Sequence, residues 1–213
     1  MTTDMVQEHG GFPDRKSALR KLGRLAEQER IYRVGAIDFP QFRSGRKTNV
    51  WAGWRPRNLR HEVLLSVFLL LYAWEVVRGY LVDERHPDAE VRSGGSFAYV
   101  ELDAGSHDKG SFSQRLTSYR DCQDTVLFVT ASNPGMGIDS EVRRRTLMQW
   151  TRAEAVRWAK DSGREFEAIG TRIWFTTLEL AGGNRYGEIW ENIHGNKRAI
   201  KVGGNRGDNP STR

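Results

Sequence analysis

Residues 87–103 read PDAEVRSGGSFAYVELD, and the fold follows from how that stretch divides. Asp88–Val91, set off by Pro87, reads as one strand, and Gly94–Gly95 marks a turn. Ser96–Leu102, with Phe97, Tyr99, Val100 and Leu102, is a strand by composition. Thr125–Thr130 reads TVLFVT, a continuous apolar run of the kind a buried central strand carries. Between them, Asp103–Gly110 reads as a loop and Ser111–Arg120 as a helix capped by Ser111 or Ser113.

The flanks extend the pattern. Upstream, His61 to about Gly79 reads as a strong helix, and Leu81–Val82 as the start of a strand. The apolar run Val63–Ala73 is too short and too closely flanked by charge for a membrane span, so a buried core helix is expected. Downstream, Asn133–Gly137 is a turn and Ser140 to about Lys160 an amphipathic helix. Glu167–Phe175 and Leu178–Leu180 read as strand material at the far edge. From residue 61 the order is helix, three strands, helix, strand, helix, strand: a mixed α/β domain with helices covering a central sheet.

The N-terminal part is basic. Asp14 caps a helix whose Leu19, Leu22 and Leu25 fall near one face, with a strand following at Ile31. The other face carries Arg15, Lys16, Arg20, Lys21, Arg24 and Arg30, suited to a phosphate backbone or to water. Gln41–His61 holds no acidic residue. Its Arg43, Arg46, Lys47, Arg55, Arg57 and Arg60 alternate with Phe42, Trp51 and Trp54, so cations can meet phosphates while rings stack, or the tryptophans anchor a core. A short strand is expected at Asn49–Trp54.

The 213 residues suffice for one core, or one core and a small appendage. Lys and Arg number 33 against 27 Asp and Glu, a net charge of +6 that draws polyanions to the surface. The single cysteine, Cys122, excludes an internal disulfide and fits a reducing, cytoplasmic setting as a buried thiol. Met1–Gly10 is polar, with no signal pattern. Lys201–Arg213 has little to bury and reads as a flexible basic tail.

Chemistry is expected around the middle strands. Residues two apart on a strand share a face, so Glu101 and Asp103 can converge, and Asp88 on a neighbouring strand can join them. Crowded carboxylates call for a hard cation such as Mg²⁺ or Mn²⁺, although acidic residues also end strands for no such reason.

Pro87–Asp88, the YVELDAG run Tyr99–Gly105, and Arg115 four before Tyr119 together resemble the PD-(D/E)xK, restriction-endonuclease-like superfamily. More narrowly, with His61 opening a helix, they resemble the replication-relaxation family of plasmid and mobile-element proteins. The likeness spans roughly residues 15–180. It implies a partial winged-helix element in the basic region 1–58, a restriction-endonuclease-like mixed sheet flanked by helices at 59–195, and a tail at 196–213. Lys16–Arg33 resembles the DNA-facing helix of a winged helix and Ile31–Trp54 its wing, shortened here or completed by a partner chain.

The resemblance also implies roles. Asp88 and Glu101 would hold a divalent cation, with Glu62 as an outer carboxylate and the Leu102 carbonyl as a further ligand. The superfamily's lysine, two residues beyond the acid, is Asp103 here, and Arg115 matches a migrated position, with Lys109 nearby. Arginine offsets phosphate charge but cannot act as a base, because its pKa stays above about 12. Tyr119 would touch substrate or pack, and His61 would order the carboxylates or serve the core. Three functions remain open: a DNA-binding protein of a plasmid, phage or mobile element, with a degenerate nuclease fold; a metal-dependent endonuclease; and a scaffold for a replication or transfer protein, using the tryptophans and the Ser140–Lys160 helix. A homodimer on symmetric DNA fits the first.

Overall fold

The computed structural model describes residues 2–37, 48–52, 58–72, 75–77, 87–93, 96–105 and 107–200. The chain forms two compact units, Met1–Leu70 and Leu71–Arg213.

The first unit holds helices α1 (Thr3–His9) and α2 (Arg15–Glu27), strands β1 (Tyr32–Ile37) and β2 (Thr48–Ala52), and all but the last residue of helix α3 (Leu59–Leu71). Thr2 caps α1, accepting from the Met5 amide at 3.2 Å. Asp14 caps α2 as expected, its Oδ1 accepting from the Ser17 amide at 2.7 Å. The side chains that α2 buries are Ala18 and Leu22, while Leu19 and Leu25 stay partly exposed. Strands β1 and β2 pair antiparallel, with a register shift between Arg33 and Gly35. Asn58 opens α3, its side-chain oxygen accepting from the His61 amide at 3.1 Å. Val63, Leu64, Leu65, Phe68 and Leu69 are buried, so apolar side chains go round most of the helix, as a core helix requires.

Helix α3 departs from expectation at its end. It stops at Leu71, well short of Gly79, and Glu75–Val77 forms strand β3. The β-branched Val76 and Val77 lie in a ladder, Glu75 opposite Arg92 and Val77 opposite Glu90, and that pairing overrides the apolar continuity of the sequence. The sequence also assigned α3 to the sheet domain, whereas Leu59–Leu70 groups with the N-terminal elements.

The second unit is built on a seven-stranded mixed sheet, ordered β3-β4-β5-β6-β7-β8-β9. Beyond β3 come β4 (Ala89–Ser93), β5 (Ser96–Asp103), β6 (Thr125–Thr130), β7 (Ile173–Thr177), β8 (Trp190–Asn192) and β9 (Lys197–Arg198). The pairs β5–β6 and β6–β7 are parallel and the others antiparallel. Helix α4 (Lys109–Thr117) links β5 to β6, and α5 (Ser140–Ser162) links β6 to β7. Two crossovers that step the same way along a sheet lay their helices on one face. Tyr99, Phe128 and Phe175 accordingly meet Phe112, Leu116, Leu147 and Trp158 in one core. Phe128 stacks on Phe175 with ring centres 5.3 Å apart and meets the edge of Phe112 at 5.4 Å. Cys122 is buried beside them, with Sγ 3.7 Å from the Asp124 carbonyl.

Further expectations change. Asp108 caps α4, its Oδ1 2.8 Å from the Ser111 amide, so the helix starts two residues before Ser111. Only Ile173–Thr177 of the segment 167–175 and its continuation is strand; Phe166–Ala168 is a 3₁₀ turn. Leu178–Asn184 is helix α6, because Thr177 accepts from the Leu180 amide at 3.0 Å and starts a helix there. Strand β7 is not the edge. The sheet continues through β8, whose Trp190 is fully buried, to β9, which lies inside the segment read as tail. Arg198 sits 3.9 Å from the centre of the Trp174 ring, which ties β9 down. The strand start at Leu81–Val82, the Gly94–Gly95 turn and the tail from Lys201 lie outside the described residues. Among the described residues no helix is long and apolar enough to cross a membrane.

Candidate functional site

Strand register brings the acidic residues together. Ala89 pairs with Val100 and Glu90 with Tyr99 across β4 and β5. Carried one residue further, that register sets Asp88 opposite Glu101, on one face of the sheet. The Asp88 carboxylate accepts from the Leu102 amide at 2.8 Å, which fixes it beside β5. Both side chains line a cleft of about 470 Å³.

The other wall is α4. Its core side carries Phe112 and Leu116, followed by Tyr119 just past its end, all buried. One turn-spaced polar stripe faces the cleft instead: Ser111, Gln114, Arg115 and Ser118. Arg115 Nη2 lies 2.7 Å from Glu101 Oε1, and the Tyr119 hydroxyl donates to the same oxygen. Burial, and then the negative charge of Asp88, push the Glu101 carboxyl up to about 7, against the opposing pull of Arg115 and Tyr119. Burial and the neighbouring Glu101 raise the Tyr119 hydroxyl above its ordinary value, so it stays a donor. A carboxyl displaced this far, opening on a cleft, is a marker of functional sites.

Asp103 behaves differently. It shares the sheet face of Glu101, yet its carboxylate is saturated away from the cleft. Oδ1 accepts from the Gly105 amide at 2.6 Å and from Arg143 Nε at 2.8 Å. Oδ2 accepts from Arg143 Nη2 at 2.9 Å and lies 3.0 Å from His107 Nδ1. Burial would raise this carboxyl, but the hydrogen bonds from His107, Arg143 and Gly105 prevail and hold it down to about 2. Asp103 is therefore an anionic anchor for its neighbours and is not among the residues that line the cleft.

His107 and Arg143 were not singled out from the sequence. His107 lines the cleft with Asp88, Glu101 and Arg115. The only signal was its place four residues after Asp103 in a polar loop. Arg143 is the first of three consecutive arginines, and nothing local distinguishes it from Arg144 or Arg145. The Ser111–Ser118 stripe was readable as the polar complement of Phe112, Leu116 and Tyr119.

A scan of family models, curated proteins and solved structures found no match to this chain.

The remaining expected residues fall elsewhere. Arg15, Lys16, Arg20, Lys21 and Arg24 on α2 are all exposed. Trp51 donates from Nε1 to Thr3 Oγ1 at 3.2 Å, joining β2 to α1 with its ring half-buried, so it serves packing within the first unit. Glu62 and His61 belong to α3 of the first unit, 3.9 Å apart at their nearest charged atoms. Lys109 is exposed at the start of α4 and does not line the cleft. Arg43, Arg46, Lys47, Trp54, Arg55 and Arg57 lie outside the described residues.

Among the described residues no group of three or more His, Cys, Asp or Glu side chains is arranged to hold a metal. Mg²⁺, however, is commonly held by one or two carboxylates, with water and substrate phosphate completing its shell. Asp88 and Glu101 fit that smaller requirement: burial first and then the charge of Asp88 raise the Glu101 carboxyl, and a cation between the two would offset the second effect.

Proposed function

We propose that the protein binds DNA, acting in the replication, transfer or control of a plasmid, phage or other mobile element. The observation that carries this reading is α2, a short helix with five exposed cationic side chains, three of them in line on one face. Acidic side chains are absent from its first turn, and Arg24 sits in its last. Lys16, Arg20 and Arg24 recur every four residues, a line that can follow a phosphate backbone. The helix is followed by the antiparallel β1–β2 pair, in keeping with the partial winged-helix element that the sequence resemblance implies. The experiment is a titration of labelled duplex and single-stranded DNA at several salt concentrations. Affinity falling steeply with salt is the expected result, because each phosphate contact releases counterions. Weak affinity that ignores salt would remove the reading.

A second reading, divalent-metal-dependent phosphodiester cleavage, is favoured by one observation: Asp88, Glu101 and Arg115 border a single cleft, with Tyr119 bonded to Glu101. Asp88 and Glu101 would hold Mg²⁺ or Mn²⁺, which when bound lowers the pKa of water and offsets charge on the phosphoryl oxygens. Arg115 supplies a fixed positive charge beside the scissile group. Tyr119 holds Glu101 in place from behind. Gln114 offers a neutral donor beside which the sugar–phosphate chain can lie, while the Ser111 and Ser118 hydroxyls donate to Asp108 and to the Arg115 carbonyl. Cleavage that disappears in both Asp88→Ala and Glu101→Gln is the expected result, and cleavage surviving both would assign it elsewhere.

A further inference from the structure

We propose that His107 is the proton-accepting catalytic residue of the cleft, held by Asp103 so that its Nε2 receives the proton of the attacking water. This rests on the hydrolytic reading above. The acidic cleft poses a chemical problem that its other members cannot solve. Arg115 keeps its protons, and Tyr119 is committed as a donor to Glu101. No lysine stands two residues after Glu101, and Lys109 does not line the cleft. A neutral acceptor is needed, and His107 is the imidazole bordering the same space as Asp88 and Glu101.

The tautomer follows from geometry. The Asp103 carboxylate is gripped by the Arg143 guanidinium through two hydrogen bonds, so its oxygens face donors and act as acceptors. Nδ1 of His107, 3.0 Å from its Oδ2, therefore carries the hydrogen, and in the neutral ring Nε2 carries the lone pair. Nε2 makes no hydrogen bond to any described residue. The ring is also held through its backbone, because Arg143 Nη2 donates to the His107 carbonyl at 2.6 Å. Asp108, the next residue, is the cap of α4, and Gly105 at φ +86° makes the turn that returns the chain from β5. A Cβ at Gly105 would collide with Ile138 Cδ1, so the loop is closely packed on that side as well. The side chain keeps 38 % exposure, enough for water to reach it.

Every charged group around the ring bears on the same event. Asp103 holds Nδ1–H, while Asp88 and Glu101 across the cleft and Asp108 beside it favour an imidazolium. Burial of the ring opposes it; the cationic groups nearby are Arg143, which donates to the His107 carbonyl, and Arg115, which lines the same cleft. The balance raises the His107 pKa above its ordinary value, through Asp103 first. In the proposed step, water oxygen bonds to phosphorus and one water proton passes to Nε2. The bridging P–O bond breaks, and its electron pair stays on the leaving oxygen, which takes a proton from solvent. The imidazolium then returns its proton to solvent.

The test uses the full chain with labelled single-stranded and duplex DNA in Mg²⁺ or Mn²⁺, comparing wild type, His107→Gln and His107→Ala. Cleavage by both variants should fall about 10²–10⁴-fold, with DNA affinity unchanged. Added imidazole should restore part of the His107→Ala rate. The wild-type rate should rise with pH through the histidine range, and that limb should vanish in His107→Gln. If wild type cleaves and the variants match it, or if imidazole restores nothing and the pH profile is unmoved, the role of His107 falls and the hydrolytic reading stands. If wild type cleaves with neither metal, both fall together.

Discussion

Arg143 grips Asp103 through two parallel hydrogen bonds, Nε to Oδ1 at 2.8 Å and Nη2 to Oδ2 at 2.9 Å. The pair joins the first turn of α5 to the end of β5, and the Arg143 guanidinium also lies 5.1 Å from the centre of the Trp150 ring. Both partners are largely buried, so removing one strands the other's charge in a poorly solvated place. Arg143→Ala should cost about 3–5 kcal/mol in urea unfolding. Arg143→Lys should recover only part of that, because an ammonium cannot reproduce the fork. A loss below about 1 kcal/mol would show the pair to be incidental.

Gly105 makes a second, independent prediction. Its φ of +86° and the proximity of Ile138 leave little room for any side chain. Gly105→Ala should cost about 1–3 kcal/mol, partly offset if the Ile138 side chain swings away. The His107 ring resonances in NMR should shift with it, since the same loop carries both residues. Unchanged His107 signals would show that the loop does not set the position of the ring.

These residues also mark where the sequence could and could not be read. The Asp88–Glu101 juxtaposition was legible, because Pro87 and two strands separated by two residues imply an antiparallel pair, and Ala89 does stand opposite Val100. Arg115 and Tyr119 were legible from their spacing and the family-like pattern. Arg143 was not, because its contact with Asp103 spans forty residues and depends on how α5 lies over the sheet. The partners of Asp103 were not legible for the same reason: strand alternation gives its face and says nothing of which cation will meet it there. The end of α3 and the strand β3 were hidden in one apolar run, which only cross-strand pairing divides. Strands β8 and β9 are two or three residues long among glycines and asparagines, too short for periodicity to register.

Stability should depend on pH in a way that separates two carboxyls. Burial and Asp88 raise Glu101 to about 7, so the folded state holds that proton more tightly than the unfolded chain. Its contribution is full below about 4.5 and is lost as pH rises through 7. Asp103, held down to about 2 against its burial, contributes above 3.8 and loses that contribution as pH falls towards 2. Glu101→Gln keeps an oxygen for Tyr119 and Arg115 but cannot ionise. Between pH 5 and pH 8 its stability should therefore gain about 3 kcal/mol relative to wild type, read from denaturation curves. Parallel wild-type and variant curves would contradict the assignment.

The raised Glu101 carboxyl also bears on metal binding. If Asp88 and Glu101 take up Mg²⁺ or Mn²⁺, the ion must displace the proton that Glu101 holds near neutral pH. Calorimetric titration at pH 6.5 in two buffers of different ionisation enthalpy should then show proton release, reduced in Glu101→Gln. Identical heats in both buffers would mean that Glu101 is not a ligand.

The most direct test of the account is the salt dependence of duplex DNA affinity for wild type and for the triple variant Lys16→Ala, Arg20→Ala, Arg24→Ala. If this exposed line on α2 meets phosphates, removing three contacts should lower the slope of log K against log salt by about 2.7 and weaken binding most at low salt. Equal slopes, with a folded variant, would contradict DNA recognition through α2.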